Sequence, residues 1–341
     1  MVSIVDVAKA AGVSNKTVSR VVNGEPNVKP ATKTKVEQVI RELGYVPNMA
    51  ARSVRSSRSY TFGIITDFIS TTPYSGDIVR GIQDWAEQNR LTVLLANTND
   101  DRDKEREIWR TFQSHRIEGV LYVSMYHREI SPSPGAVSIP TVLVNCHPEP
   151  SNGYPSIEPD DYQGSRDLTR HVLEHGHRKI GYLRLNPRLL GAEMRLEAFR
   201  DTVREAGLSE ADIDIRLGME GPIGAETNLV FEETRKMLSG PDRPTALMCG
   251  NDEIALQAYL AALGLGLRIP EDISIVGFDD FRTVSLALKP ELTTAALPYY
   301  ELGYRGAERL TKLIEGQDVP SDRLALPCPV IARGSCTQEP G

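Results

Sequence analysis

The sequence predicts a small all-α head joined to a larger α/β body with two lobes of doubly wound parallel sheet. Apolar residues recur at helical spacing over residues 4–43. From residue 60 onward, short apolar runs alternate with amphipathic stretches, as in parallel sheets whose two faces are covered by helices. The chain has 341 residues, more than the roughly 100–200 of an ordinary domain, so several cores are expected.

The head is predicted to contain three short helices. Ser3 and Asp6 have the spacing of a capping box. Gly12 allows a tight turn before a second helix, and Pro30 suits the first position of a third helix that Gly44 ends. The apolar side chains at helical spacing, which should form the core of the head, are Ile4, Val7, Ala8, Ala11, Val18, Val21, Val22, Val36, Val39, Ile40 and Leu43.

The second helix, within VSNKTVSRVVNG (13–24), has valines on one side and polar side chains on the other. Two short helices joined by a tight turn form a helix-turn-helix, whose second helix enters the major groove of DNA. We expect Asn15, Lys16 and Arg20 to contact base edges, because Asn pairs with adenine and Arg or Lys with guanine. A small helical bundle with a polar surface is the alternative. The side chains expected at phosphates are Ser14, Thr17, Ser19 and Lys29.

Charge is distributed unevenly along the chain. Residues 1–60 contain ten Lys and Arg against four Asp and Glu, a net charge of +6, whereas the whole chain has −7. The rest of the chain therefore carries −13. A basic head on an acidic body indicates that the head meets a polyanion that the body repels. Composition alone would fit a solvated basic surface equally well, so the helix pattern decides.

The head and the start of the body resemble the LacI/GalR family of bacterial transcription regulators. The resemblance is continuous from Ile4 to Ile65 and is carried by IVDVAKAAGVSNKTVSRVVNGEPNVKPATKTKVEQVIRELGYVPNMAARSVRSSRSYTFGII. It implies a homodimer on a near-palindromic operator, with one recognition helix in each half-site. Double-stranded DNA is therefore the expected partner, and tetramers of such dimers stay an open alternative.

A second segment, 48–57, is rich in Ala, Ser and Arg and has little apolar surface. It is too short to be a stable helix alone, so we expect it to fold only on its target. In the family, such a hinge helix pairs with its dimer mate and opens the minor groove with an apolar side chain. Val54 occupies that position, where the family usually has Leu, and Arg52 and Arg55 would contact phosphates. An ordinary flexible linker is the alternative.

Eight apolar runs in the body predict strands. They are TFGIIT, LTVLLAN, GVLYVS, TVLVNC, KIGYLRL, IDIRLGM, TALMCG and SIVGFD. Helices are expected between them, near 76–89, 104–115, 163–175, 195–206, 225–238 and 253–263. Eight strands over about 270 residues are better divided between two lobes than placed in one sheet.

The body resembles the effector domain of the same family, which is itself similar to periplasmic sugar-binding proteins. The stretches that carry this resemblance are HGHRKIGYL, RPTALMCGNDEIALQA, RIPEDISIVGFDD and PELTTAALPYYELGYRGAERL. Family topology implies three crossings between the lobes, which we place near Pro159, Pro290 and Pro320. The predicted organisation is a DNA-binding domain over 1–47, a hinge or linker over 48–59 and an effector-binding and dimerisation domain over 60–341. Within the last domain, lobe 1 is expected near 60–159 and 291–320, and lobe 2 near 160–290 and 321–341.

Ligands of open parallel sheets bind beyond the carboxyl ends of the strands, so the cleft between the lobes is the predicted effector site. Asp279 ends a strand and can accept hydrogen bonds from hydroxyl groups, and Asn251 can both donate and accept. Arg195 offers a planar fork of donors. These three match the effector-binding positions of the family, and Tyr74 matches the aromatic residue that covers the effector from the other lobe.

Asn145 and Asp161 are further expected effector contacts. For these two and for the covering tyrosine, a structural role in a loop or turn is the alternative. The purine-responsive branch of the family has polar side chains before the arginine position, whereas Leu189 and Gly191 stand there in this chain. The expected effector is therefore a small sugar or sugar derivative.

No metal or cofactor is expected. His171, His175 and His177 have a spacing that could hold a metal, but no carboxylate or thiol cluster accompanies them in the sequence. The four cysteines are scattered without metal-site spacing, and buried, reduced thiols are expected at Cys146, Cys249, Cys328 and Cys336.

The sequence also has no phosphate-binding loop and no nucleophile motif, so no enzyme activity is expected. A signal peptide and a membrane span are absent, which favours a cytoplasmic location. The resulting hypothesis is an allosteric DNA-binding repressor of a carbohydrate-utilisation operon. A sugar-binding transport protein and a purine-responsive regulator are the alternatives.

Overall fold

The computed structural model describes residues 2–22, 24–46, 58–67, 75–132, 139–149, 153–223 and 225–339. The chain forms two compact units, the head (Met1–Tyr60) and the body (Thr61–Gly341). Four residues of the predicted sites lie outside the described residues, namely Arg52, Val54, Arg55 and Tyr74.

The head has the three predicted helices, α1 (Ile4–Ala11), α2 (Asn15–Val22) and α3 (Pro30–Leu43). The capping box is formed, since Ser3 Oγ accepts from the Asp6 amide and the Asp6 carboxylate accepts from the Ser3 amide at 2.8 Å. Gly12 and Gly44 end α1 and α3 in the left-handed conformation that glycine adopts without strain. The capping residues read from the sequence therefore fix these boundaries.

The head has its own apolar core. Its buried side chains come from all three helices and are Val7, Ala8, Ala11, Val18, Val21 and Val36. Leu43 is the one wrong core prediction in the head, because 38% of this residue is exposed. Leu43 is the last residue of α3, which at 14 residues is longer than α1 and α2 with 8 each.

Lobe 1 of the body is built on a six-stranded parallel sheet. Its strands are β1 (Thr61–Thr66), β2 (Thr92–Asn97), β3 (Gly119–Ile130), β4 (Thr141–Pro148), β5 (Ser156–Pro159) and β13 (Arg323–Leu326). Their order is β13-β5-β4-β3-β1-β2, and every neighbouring pair is parallel. The register of β3 against β4 shifts between Val123 and Arg128, so a short irregular segment interrupts the longest strand.

Three helices pack on lobe 1: α4 (Ser75–Gln88), α5 (Arg102–Ser114) and α11 (Tyr299–Ile314). Helices α4 and α11 approach closely because glycines face the partner backbone. A Cβ atom at Gly303 would overlap the Ile78 carbonyl, and one at Gly81 would overlap the Tyr300 carbonyl. Larger residues at these two glycines would force the helices apart.

Lobe 2 is built on a second six-stranded sheet. Its strands are β6 (Ile180–Arg184), β7 (Ile213–Leu217), β10 (Ala246–Cys249), β11 (Ser274–Asp279), β12 (Thr293–Ala296) and β14 (Val330–Ile331). Their order is β14-β12-β11-β10-β6-β7, with β14 antiparallel to β12 and the other pairs parallel. The prediction of two doubly wound parallel sheets is confirmed.

The helices of lobe 2 are α6 (Asp161–Glu174), α7 (Leu190–Glu205), α8 (Val230–Leu238), α9 (Asp252–Gly264) and the short α10 (Arg282–Ser285). A small hairpin, β8 (Met219–Glu220) and β9 (Thr227–Asn228), occupies the beginning of the helix expected at 225–238. That helix therefore starts later, at Val230. Within the described ranges, none of the helices combines the length and hydropathy required to cross a lipid bilayer.

The first crossing between the lobes lies next to Pro159, as expected, between β5 and α6. The second and third lie later than expected. Strand β12 pairs with β11 of lobe 2, which moves the second crossing from Pro290 to residues 297–298. Strand β13 pairs with β5 of lobe 1, which moves the third crossing from Pro320 to residues 327–329. Strand pairing, rather than the nearest proline, sets where the chain changes lobe.

Candidate functional site

The polar face of α2 is the candidate nucleic-acid interface of the head. Asn15 and Lys16 are exposed, and Ser19 and Arg20 are half-buried. The opposite face of the helix buries Val18 and Val21 against α1 and α3. Burial of one face turns the other outward, as in a helix that enters a groove of DNA.

Two of the predicted phosphate contacts also hold the start of α2. Ser14 Oγ accepts a hydrogen bond from the Thr17 amide at 3.1 Å, and the two hydroxyl groups lie 3.0 Å apart. Arg20 Nε lies 3.5 Å from the Glu25 carboxylate in an exposed ion pair. Such pairs contribute little to stability, so the guanidinium can exchange this partner for DNA. Lys29 is exposed at the start of α3.

A cleft with an empty volume of about 790 Å³ lies between the two lobes of the body. Lobe 2 contributes side chains that follow its strands, and lobe 1 contributes the irregular segment of β3 and the end of β4. The predicted effector residues that line it are Asn145, Asp161, Arg195, Asn251 and Asp279. The structure therefore brings together every predicted effector residue that it describes.

Arg195 is the central cation of the cleft. Its Nε donates to Asp161 Oδ1 at 2.7 Å, and Nη1 donates to the Gly250 carbonyl at 2.7 Å. Nη1 also lies 3.4 Å from Asp279 Oδ1, and the guanidinium stacks 3.8 Å above the Phe278 ring. Burial by itself would lower the pKa of Arg195, but Asp161 and Asp279 outweigh it and raise that pKa. The guanidinium is thus a fixed charge that holds two carboxylates in place.

His127 connects this cluster to lobe 1. Its Nδ1 lies 2.7 Å from Asp161 Oδ2, and its Nε2 lies 2.7 Å from Glu158 Oε2. Burial acts to lower the pKa of His127, but hydrogen bonds to the two carboxylates outweigh burial and raise it. The pKa values of Asp161 and Glu158 are lowered, because their cationic partners outweigh the effect of burial. A buried chain of charges therefore runs from Glu158 to Arg195.

Asp279 has an unusual backbone conformation, with φ of 118°. Residues other than glycine rarely adopt this region, and such strain is often found at functional sites. Burial raises the pKa of Asp279 well above its usual range, against the effect of Arg195. Behind it, Asp252 accepts from Thr294 Oγ1 at 2.7 Å, and burial raises the pKa of Asp252 to about 7.

The two predicted asparagines have structural contacts as well as positions in the cleft. Asn145 has φ of 57° and donates through Nδ2 to the Ser124 carbonyl at 2.9 Å. Asn251 caps α9, because its Oδ1 accepts from the Ile254 amide at 2.9 Å. At the start of α6 the capping role belongs to Asp160, which leaves the Asp161 carboxylate to Arg195 and His127.

Sequence reasoning missed several residues that line the cleft. Tyr126 and His127 were missed because the predicted strand ended at Ser124, whereas β3 continues and its register break faces the cleft. Glu226 lies near the small hairpin that the sequence pattern did not predict, and Tyr299 begins α11. Tyr299 could have been found from the sequence, because it lies in the stretch PYYELGYRGAERL, which resembles the effector domain of the family.

Apart from the polar side chains of Asn186 and Glu253, the rest of the cleft wall is apolar. Its aliphatic side chains include Leu185, Leu189, Met219 and Leu297. A mostly apolar cleft with a few convergent polar groups is typical of small-molecule sites. In such a site, the polar groups orient the ligand and the apolar wall contributes by burial.

Comparisons with known proteins agree with this architecture. Residues 3–48 match the family described as bacterial regulatory proteins, lacI family, and residues 169–336 match the periplasmic binding protein-like domain. The sucrose operon repressor of Escherichia coli is 33% identical over 337 residues, which cover 98% of this chain and 100% of that protein. The chain belongs to the LacI family of bacterial regulatory proteins.

Solved structures support the assignment to the LacI family. A protein from Rhizobium etli, described as a transcriptional regulator of this family, is 62% identical with a TM-score of 0.80, covering 82% of this chain and all of that one. The lac repressor dimer, bound to operator and an anti-inducer, is 27% identical with a TM-score of 0.77, covering 98% and 99% of the two chains. This LacI-family chain is thus a DNA-binding regulator and not an enzyme.

Proposed function

We propose that this LacI-family protein represses a carbohydrate-utilisation operon and that an uncharged sugar in the cleft changes its affinity for the operator. The observation that carries the proposal is the convergence of polar side chains from both lobes on one partly apolar cleft. Hydroxyl groups of a sugar suit carboxylate, amide and guanidinium partners, and its C–H faces suit Tyr126 and Tyr299. The E. coli relative, a sucrose operon repressor, supports a sugar.

The charge of the cleft favours an uncharged ligand. Four carboxylates line it, and its guanidinium already binds two of them. Burial raises the pKa of both Glu253 and Asp279, which means that the surroundings disfavour the ionised form of these two carboxyl groups. A sugar phosphate or sugar acid would add another anion. Leu189 and Gly191 line the same cleft and offer no side-chain hydrogen bond to a purine.

For the effector, we propose direct contacts from Arg195, Asn251 and Asp279, with Asn145 and Asp161 as further contacts and Tyr74 as the cover. Support comes from the position of the described residues in one cleft and from the strained φ of Asp279. Asp161 accepts hydrogen bonds from both lobes. A ligand that contacts this carboxylate would therefore favour one arrangement of the lobes over another, which is what allosteric control requires.

For the operator, we propose that Asn15, Lys16 and Arg20 read base edges. The side chains proposed at phosphates are Ser14, Thr17, Ser19 and Lys29. The hinge over 48–59 would place Val54 in the minor groove, with Arg52 and Arg55 at phosphates. Exposure of the polar face of α2 and the basic charge of the head support this proposal.

We also propose that the protein acts as a homodimer. The similarity to the lac repressor dimer supports this state. Leu260 and Leu263 are both 55% exposed and lie one turn apart on α9, so they form an apolar strip on the surface of lobe 2. An apolar strip of this kind is suited to burial against a second copy of the chain.

The proposed function is tested by a thermal-shift screen followed by gel shifts. Full-length protein is screened against monosaccharides, disaccharides, polyols, sugar phosphates and purines, and operator sequences are selected from a random duplex library. A neutral sugar should raise the melting temperature and change operator affinity at least tenfold, within the usual range of allosteric coupling. Stabilisation by sugar phosphates or purines alone would contradict the proposal.

A matched pair of variants locates the effector. Asp279→Ala should lose the sugar response and keep operator binding. Asp280→Asn is the control, because the Asp280 carboxylate accepts from Ser285 and Arg333 instead of lining the cleft. A sugar response that persists in Asp279→Ala would place the effector elsewhere.

A further inference from the structure

A second cluster of potential ligands lies in lobe 2, apart from the cleft. His171 and His175 are one turn apart near the end of α6, and their rings are 4.4 Å apart. The thiol of Cys336 reaches them from the C-terminal segment, so that one ligand atom from each of the three residues lies within 4.8 Å of the other two. The sequence pattern does not pair this cysteine with the histidines, because it is more than 150 residues further along the chain.

His175 is oriented as metal-binding histidines usually are. Its Nδ1 lies 2.7 Å from the His171 carbonyl oxygen, which can only accept, so Nδ1 carries the proton and donates. The lone pair is then on Nε2. In metal sites, the non-ligating ring nitrogen commonly donates to a backbone carbonyl in this way, which fixes the tautomer and the direction of the ligand atom.

Cys336 is held in position by its neighbours on both sides. Ser335 Oγ donates to the Ile275 carbonyl at 2.6 Å, and the Thr337 amide donates to Ser274 Oγ at 3.2 Å. His177 Nε2 lies 2.9 Å from the Thr337 carbonyl. This segment is thereby fixed to the beginning of β11, at the end of the sheet opposite to the cleft that follows Asp279.

We propose that His171, His175 and Cys336 form a binding site for Zn²⁺, with a solvent water as fourth ligand. Zinc takes imidazole nitrogen at about 2.0–2.1 Å and thiolate sulfur at about 2.3 Å, so ligand atoms around it are roughly 3.3–3.6 Å apart. The ligand atoms now lie within 4.8 Å of one another, and side-chain rotations on zinc binding would have to bring them into that range. Two imidazoles and a thiolate select zinc over Mg²⁺ and Ca²⁺, which prefer oxygen ligands.

Protonation and access are also suitable for a metal. Burial, together with the nearby His175, lowers the pKa of His171, so this imidazole is neutral near pH 7. Burial raises the pKa of Cys336 to about 11, against the hydrogen bond from Ser274. Binding of Zn²⁺ therefore forms a zinc–sulfur bond and releases the thiol proton to solvent. Both histidines are half-buried, which leaves a path for the ion and the water.

The site is tested with full-length protein, first stripped of metal with a chelator and then titrated with Co²⁺ as a spectroscopic probe for zinc. One equivalent should produce the intense near-ultraviolet absorption of a cobalt–thiolate bond, and one equivalent of Zn²⁺ should remove it. Cys336→Ser should lose this absorption. Cys328→Ser is the matched control, since Cys328 is a buried thiol of the same apolar cluster and should keep it.

Two outcomes would overturn the proposal: no thiolate absorption in the unaltered protein, or the same absorption in Cys336→Ser. His171→Gln and His175→Gln keep the thiol and test the site if Cys336→Ser does not fold. Each should weaken Zn²⁺ binding at least tenfold in a chelator competition, and unchanged affinity in both would exclude the histidines.

Discussion

His127 Nδ1 lies 2.7 Å from Asp161 Oδ2, and this contact joins the irregular segment of β3 in lobe 1 to the first residue of the helix that opens lobe 2. Asp161 uses its other oxygen for Arg195, so a single buried carboxylate is shared between the lobes. Breaking such a buried pair leaves an uncompensated charge, which is strongly unfavourable. The relative position of the lobes is therefore linked to the protonation and pairing of a few side chains.

His127→Gln should destabilise the body in a pH-dependent manner. Because the pKa of His127 is raised above 6.5, its contribution to stability is fully present below that pH and decreases as the pH rises through the folded-state pKa. The lowered pKa values of Glu158 and Asp161 give stability that is present above pH 4.5 and is lost on acidification. We expect a loss of about 3 kcal/mol in unfolding free energy near pH 6.

Urea unfolding of both proteins at about pH 6 and pH 9 measures this effect. The difference between wild type and variant should be smaller at the higher pH, because the contribution of the charged imidazole decreases as the pH rises through its raised folded-state pKa. His115→Gln is the control, since His115 is exposed, and it should change little at either pH. An equal loss at both pH values would mean that His127 contributes packing but no charge.

Asp279→Gly should be more stable than Asp279→Ala by about 1 kcal/mol. Both variants remove the carboxylate that lies beside Arg195, but the φ of 118° suits glycine and strains alanine. Thermal and urea unfolding of the two variants compare them directly. Equal stability, or a more stable alanine variant, would show that the backbone at this position relaxes. Both variants should lose the response to the sugar effector.

Arg20→Ala should reduce operator affinity by about 1–3 kcal/mol and relax the preference for one base pair. Lys29→Ala is the matched comparison. It should weaken binding to the operator and to random duplex equally, and reduce the salt dependence of binding. Gel-shift titrations at several salt concentrations separate the two effects. If Arg20→Ala lost the same affinity for the operator and for random duplex, Arg20 would contact phosphates and not base edges.

Leu260→Glu combined with Leu263→Glu should shift the protein from dimer to monomer. Both leucines are exposed on α9, so the unassembled chain should lose little unfolding free energy, whereas an apolar interface would acquire two charges on each side. Sedimentation velocity measures the change. Phe231→Glu, on the neighbouring helix α8, is the control. A double variant that remains dimeric would place the interface on another surface.

The periodic parts of the fold could be predicted from the sequence because burial on both faces leaves a clear apolar run. Strand β1 is such a case, and its predicted bounds, Thr61–Thr66, agree with the structure. Strand β12 could not be predicted, since TTAA has little apolar character, and only its pairing with β11 defines it. Strand β13 is similar: its residues are mostly exposed, and β5 supplies its partner.

The candidate site divides in the same way. Asp279 and Asn251 were found because the first ends an apolar strand and the second directly follows one. His127 was not found, because the register break in β3 that directs this side chain to the cleft depends on its pairing with β4. Cys336 was missed as a potential ligand for a related reason, since only the tertiary fold brings it to His171 and His175.

The C-terminal segment has a consequence for biosynthesis. Ser335 bonds to Ile275 of β11, and Arg333 bonds to Asp280, immediately after the strand that supplies Asp279. Lobe 2 therefore cannot complete its sheet until these residues have left the ribosome. The head, which has its own core, emerges from the ribosome much earlier. A nonsense mutation before residue 330 would yield a polypeptide that keeps the helices of the head but lacks strand β14 of lobe 2.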